Sequence, residues 1–233
     1  MPSSERVRGV PWKELNVAIG CIGIPQAGKT HRLREHVKRL AKLPGYVLIH
    51  DPNGDYPGTW CSSESDVRRH IARGPCKLDT ENGLDVVEMA LRLAEVNLGR
   101  HGIDPRDSAS RGRVAPAVVC VLDEVTEVEG LSASSMPRPL KRLYLRRRHL
   151  HCAVLWGTQR TSLIPPVLYD CATELDIFRV NDEDVLSRLR RGGVPQEITD
   201  AARALPQGEC RVYQPWSKSD GHQATEEATG EGD

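Results

Sequence analysis

Short blocks of uninterrupted apolar residues alternate along this chain with longer amphipathic stretches. Residues 15–22, 46–50, 117–122 and 152–156 are apolar and rich in β-branched side chains. That is the signature of strands buried on both faces of a parallel sheet. Residues 174–180 alternate apolar and polar, which predicts a further strand, and 76–78 and 208–214 predict two shorter ones, the last at a sheet edge. Between them, 31–43 places Leu33, Val37 and Leu40 at helical spacing and is closed by Pro44-Gly45. Further helices are expected over 65–73, 83–98, 138–149, 183–191 (stopped by Gly192-Gly193) and 195–205. Strands alternating with helices predict an α/β fold of three layers with a mostly parallel central sheet.

The first strand runs directly into Gly23-Ile24-Pro25-Gln26-Ala27-Gly28-Lys29-Thr30, and His31 follows. This matches G-x-x-x-x-G-K-[ST], the phosphate-binding P-loop, in the strand–loop–helix setting the motif requires. Glycines let the backbone curl so that successive N–H groups point at phosphate oxygens. The start of the following helix adds its positive end. In such a loop Lys29 reaches the β- and γ-phosphates of ATP and the Thr30 hydroxyl holds Mg²⁺. Residues 23–31 are thus the candidate nucleotide site.

The strongest strand signal, 117–122, ends in Asp123-Glu124. An apolar strand tipped by two acids is the Walker B pattern. Asp123 is expected to hold Mg²⁺ and Glu124 to act as the base that activates water. A small GTPase would carry Asp-x-x-Gly here and an Asn-Lys-x-Asp box elsewhere, and neither is found. The 152–156 strand ends in Gly157-Thr158-Gln159-Arg160; Gln159, with Thr158 second, is the candidate sensor of the γ-phosphate or the attacking water. The loop Asp51 to Gly58 follows the second strand and is expected near the nucleotide, because ligands in open parallel sheets sit beyond the strands' carboxyl ends.

At 233 residues the chain is long enough for one sizeable α/β core. A single Phe predicts an aliphatic interior. No apolar run approaches a membrane span and the first residues lack an apolar signal region, so a cytoplasmic location is expected. The seven cysteines form no C-x-x-C pair; buried free thiols fit best and a zinc site is not expected. Formal net charge is zero, but the last 17 residues hold one Lys against five acids, while six of the eleven residues 138–148 are basic. The body therefore carries positive charge that could meet a polyanion. Arg100, Arg106, Arg111 and Arg113 in the polar stretch 99–115 could do the same. The expected organisation is a loose lead-in at 1–10, an ATPase domain at 11–216 and a disordered acidic tail at 217–233.

The stretches 23–30, 47–56, 118–124, 146–160 and 177–189 resemble, in order and content, the FtsK/HerA superfamily of P-loop ATPases. Asp51 and Asp55-Tyr56 match an Asp and an acidic-aromatic pair that members often show; Arg148-His149 and Thr158-Gln159-Arg160 match segments on either side of the Gln-bearing strand. In size and layout the chain is similar to the compact genome-packaging ATPases of tailless, membrane-containing bacteriophages. The resemblance implies a RecA-like additional-strand core, ATP and Mg²⁺ as cofactors, and double-stranded DNA as the moved polymer. It implies a homo-oligomeric ring, most simply a hexamer, and a capsid or membrane-vertex docking partner. It also implies an arginine finger contributed in trans from just ahead of the Gln strand. Arg148 is the first candidate, with Arg146 and Arg147 behind it. His151, where members often have Gly, leaves that choice open, and the run could instead be a solvated helix face or a phosphate contact. The segments 99–115 and 125–137 are the candidate pore loops. The alternatives are an AAA+-like remodeller of a protein partner and a non-motor nucleotide-dependent switch.

Overall fold

The computed structural model describes residues 17–42, 45–104 and 115–215. The expected lead-in and tail, and Arg106, Arg111 and Arg113 of the polar stretch, lie outside the described residues.

The elements follow in chain order. They are β1 (Ala18–Ile22), α1 (Lys29–Leu40), β2 (Gly45–His50), β3 (Thr59–Cys61), α2 (Glu64–His70), β4 (Cys76–Leu78), α3 (Gly83–Arg100) and β5 (Ala117–Leu122). After a 3₁₀ turn at Val125–Glu127 come α4 (Arg138–Leu150), β6 (Cys152–Thr158), a second 3₁₀ turn at Thr161–Leu163 and α5 (Val167–Asp170). The last elements are β7 (Glu174–Ile177), α6 (Glu183–Arg191), α7 (Gln196–Ala201) and β8 (Arg211–Tyr213). One eight-stranded sheet has the order β3-β4-β2-β5-β6-β1-β7-β8. Every pairing is parallel except that of β7 with β8.

Strand alternation sorts the core into two layers. Ile19, Cys21, Val47, Ile49, Val119, Val121, Ala153 and Leu155 face α1, packing on Leu33, Val37 and Leu40. Ala18, Ile22, Leu48, Val118, Cys120, Leu122, Val154 and Trp156 face the other way, against α3 and α4. This is the expected three-layer α/β sandwich. The interior is mostly aliphatic, but Trp156, Tyr144 and Phe178 are also fully buried. The expected buried thiols are present: Cys21, Cys61, Cys76, Cys120 and Cys152 are buried and free.

Two expectations are corrected. The three-residue strand β3 follows the Asp51 to Gly58 turn where no strand was expected, and it forms one sheet edge. Residues 99 and 100 belong to α3 rather than to a loop, because helical hydrogen bonding runs on past Leu98, with the His101 N–H donating to the Asn97 carbonyl at 3.2 Å. No described helix is long and apolar enough to cross a membrane.

Candidate nucleotide and metal site

The sheet order places β6 between β5 and β1. Register pairs Ile22 with Thr158 and Leu122 with Trp156. The residues that follow these strands therefore emerge side by side at one sheet end: the P-loop from β1, Asp123-Glu124 from β5 and Gln159 from β6. Three motifs far apart in sequence meet because parallel strands all end on the same edge.

Gly28 is the residue preceding α1 and has φ 106°, a left-handed conformation that favours glycine. A Cβ there would fall 3.1 Å from the Gly208 Cα and 3.2 Å from Phe178. The turn around Gly208 caps the loop from outside, its N–H donating to the Ala27 carbonyl at 3.1 Å. Lys29 is buried, and its Nζ donates to the Ile24 carbonyl at 2.7 Å, closing the loop on itself. Burial lowers the Lys29 pKa, and the nearby Glu124 and Asp123 carboxylates oppose that shift. A phosphate bound in the loop would oppose the same shift with its negative charge. His31 points to solvent and lies 3.6 Å from Glu35.

The Thr30 hydroxyl donates to Asp123 Oδ2 at 3.3 Å, and the Tyr56 hydroxyl donates to Asp123 Oδ1 at 2.7 Å. Burial pushes the Asp123 carboxyl up, and the bonds from Tyr56 and Thr30 counter it. A hydroxyl and a carboxylate oxygen converging beside a phosphate loop are the hard oxygen donors Mg²⁺ prefers, so these residues fit that ion. Glu124 is fastened at the strand tip. Its Oε1 accepts from the Thr126 hydroxyl at 2.7 Å, and its Oε2 accepts from the Gln159 N–H at 3.1 Å. The Gln159 side chain is exposed at the same edge. Thr158, the second sensor candidate, is fully buried, and its hydroxyl accepts from the Arg160 N–H at 3.0 Å, which makes it a turn cap.

The basic run on α4 is sorted by helical phase. Arg147 is buried, donating to the Tyr144 carbonyl at 2.7 Å and the Cys171 carbonyl at 3.0 Å, so it is not free to serve as a finger. Arg146 and Arg148 are exposed. The C-terminal turn of α4 leads into the start of β6, so Arg148 sits at the sheet end opposite its own P-loop. A helix of 13 residues spans about 20 Å, which puts its own nucleotide site out of reach. Of the two pore-loop candidates, 125–137 carries Glu127 and Glu129 and no Lys or Arg, so its charge does not suit DNA phosphates; most of 99–115 lies outside the described residues.

Several partners were not singled out from sequence. Thr126 anchors Glu124, and Lys77 pairs with Asp51 at 3.2 Å. The spacing Asp-Glu-x-Thr was a usable local signal for Thr126; nothing local marks Lys77. Gly157 is a third. A Cβ there would lie 2.4 Å from the Asp123 carbonyl oxygen and 3.1 Å from Leu33 Cδ1. Gly157→Ala is therefore expected to force β5 and β6 apart beside Asp123 and to cost about 1–3 kcal/mol, read as a lowered Tm with weakened ATP binding. An unchanged Tm would show that the strand tips yield freely.

Buried under α1 is a polar cluster. Asp176 Oδ2 accepts from Arg32 Nε at 3.0 Å and lies 2.6 Å from His36 Nε2 and 3.8 Å from Cys21 Sγ. Cys21, His36 and Asp176 offer ligand atoms within 4.8 Å of one another, but the guanidinium already supplies the cation on that oxygen. The cluster reads as a fastening of α1 to β7.

No protein-family model and no curated protein sequence matches the chain. Solved structures do resemble it. The genome packaging NTPase B204 from Sulfolobus turreted icosahedral virus 2, in complex with ATP-γ-S, aligns with TM-score 0.69 at 15% identity over 87% of this chain and 94% of that one. B204, the DNA-packaging ATPase from Sulfolobus turreted icosahedral virus, aligns with TM-score 0.65 at 16% identity over the same shares. EssC (ATPases 2 and 3) from Geobacillus thermodenitrificans aligns with TM-score 0.50 at 14% identity, over 86% of this chain and 38% of that one. This chain thus shares the fold of the B204 NTPases, helices packed on both faces of a mostly parallel sheet.

Proposed function

We propose that this protein is an ATP hydrolase that drives double-stranded DNA, and that its task is packaging a viral genome into a preformed capsid. The observation that carries the reading is the meeting of Lys29, Thr30, Asp123, Glu124 and Gln159 at one sheet end, with the Gln-bearing strand inserted between the P-loop and Walker B strands. The packaging role is supported by the fold shared with B204 along nearly the full length of both chains.

The P-loop amides and Lys29 hold the nucleotide phosphates. Thr30 and Asp123 would hold Mg²⁺, which would supply positive charge to the nucleotide phosphates. Glu124 accepts a proton from the attacking water, and each carboxylate oxygen has a second lone pair, so its bond from Gln159 N–H does not block that task. Gln159 reports the γ-phosphate to the strand tip. Arg148, exposed and remote from its own site, reaches the nucleotide of the next subunit in a hexameric ring, where a guanidinium stabilises the transferring phosphoryl group. The protein works free in the host cytoplasm or docked on a virion vertex.

The test is ATP turnover with and without long double-stranded DNA, for the parent chain and Arg148→Ala. DNA is expected to raise turnover, and Arg148→Ala to lower it about a thousand-fold, the scale of a finger in trans. Turnover indifferent to DNA sinks the motor. Turnover indifferent to Arg148→Ala sinks the finger while leaving the motor standing.

A further inference from the structure

The turn after β2 does more than pass near the nucleotide. Tyr56 is 3% exposed, and its hydroxyl bonds Asp123 Oδ1 at 2.7 Å although 67 residues separate the two. The main chain that carries Tyr56 is itself fixed. Asp51, 2% exposed, accepts from the Asp55 N–H at 2.8 Å on Oδ1 and from the Tyr56 N–H at 3.0 Å on Oδ2. Lys77, from β4, pairs with Asp51 Oδ2 at 3.2 Å, and its ammonium lies 4.0 Å from the centre of the Trp60 ring on β3. An unbroken series of contacts therefore runs from the outermost strands of the sheet to the Asp123 carboxylate.

We propose that Tyr56 is a positioning residue for Asp123, and that the Asp51–Lys77 pair sets Tyr56 in place. The inference rests on the reading of Asp123 as the carboxylate that holds Mg²⁺. A carboxylate free to rotate presents either oxygen at random. Here Oδ1 is held by a phenol on a rigid ring and Oδ2 by Thr30, so the carboxylate plane is set before the ion arrives. A phenol suits this place because it donates without bringing a charge that would compete with the cation. Groups that orient a metal ligand from behind usually contribute ten- to a hundred-fold to metal affinity.

The test is equilibrium binding of a fluorescent ATP analogue to the full chain, titrated with Mg²⁺ and repeated in EDTA. The parent chain should bind more tightly with Mg²⁺. Tyr56→Phe, which removes one oxygen, should match the parent in EDTA and need about ten-fold more Mg²⁺ for half of the tightening. Asp51→Asn keeps Tyr56 itself and should shift the midpoint in the same direction by less. Mg²⁺ midpoints equal to the parent's in both variants overturn the proposal. If the parent chain shows no Mg²⁺-dependent tightening, the reading of Asp123 fails instead. A Tyr56→Phe loss of affinity of equal size in EDTA and in Mg²⁺ would mark a general packing role and also overturn it.

Discussion

Glu124→Gln is expected to bind ATP as tightly as the parent chain and to hydrolyse it at least about a hundred-fold more slowly, the lower end of what a positioned general base contributes. The substitution is nearly isosteric. With the Gln amide oxygen accepting the Gln159 N–H and its NH₂ donating to the Thr126 hydroxyl oxygen, both fastenings of the strand tip can persist. What is lost is the ability to take a proton from water. Binding and chemistry should therefore separate: an unchanged dissociation constant for a fluorescent ATP analogue, against a collapsed single-turnover rate. Comparable rates in the two proteins would mean that Glu124 is an anchor for Gln159 only, and the acid that activates water would have to be sought elsewhere at this sheet end.

Much of this site was legible because its chemistry is local. The P-loop needs a fixed spacing, and Asp123-Glu124 stands where an apolar run stops. The inserted strand was implied by the resemblance, whose additional-strand core has its counterpart in β6 between β5 and β1. Other features were not legible because they depend on which strands become neighbours. Thr59-Trp60-Cys61 has too few residues for a period, and its first two are exposed on a sheet edge. The bond from Tyr56 to Asp123 exists only because β2 lies beside β5. The burial of Arg147 could have been read: it lies on the stripe of Leu140, Leu143, Tyr144 and Leu150, seven residues after the first. Its type pointed to solvent while its phase pointed to the core, and phase won because two carbonyls were within reach. In β7, Leu175 and Ile177 alternate with Glu174 and Asp176, a pattern that does not say what lies on the polar face. Both faces are buried, because α1 brings Arg32 and His36 to meet the acids.

Asp176→Ala should accordingly cost more stability than any change on the surface. The aspartate is fully buried, with Arg32 at 3.0 Å and His36 at 2.6 Å, both from the helix that begins at the P-loop. Removing one member of a buried pair leaves the other without its counter-charge, which costs about 3–5 kcal/mol. The lower end, about 3 kcal/mol, applies here, because Arg32 keeps a fifth of its side chain in water and a second partner in Glu35 at 3.2 Å. For a chain of this size that is a fall in Tm of roughly 10 °C. Asp176→Asn keeps an acceptor oxygen and should lose less. The pH dependence has a definite sign. Burial alone would raise the Asp176 pKa, but the hydrogen bond and charge of His36 and the charge of Arg32 hold it below the ordinary carboxylate value. Its stabilising contribution is thus complete above the unfolded carboxylate pKa and disappears as pH falls through the depressed folded value. The gap in Tm between the parent chain and Asp176→Ala should be widest near neutral pH and close on acidification. A gap that stays constant down to strongly acid pH would show that the side chain acts by filling space, since a packing contribution does not titrate.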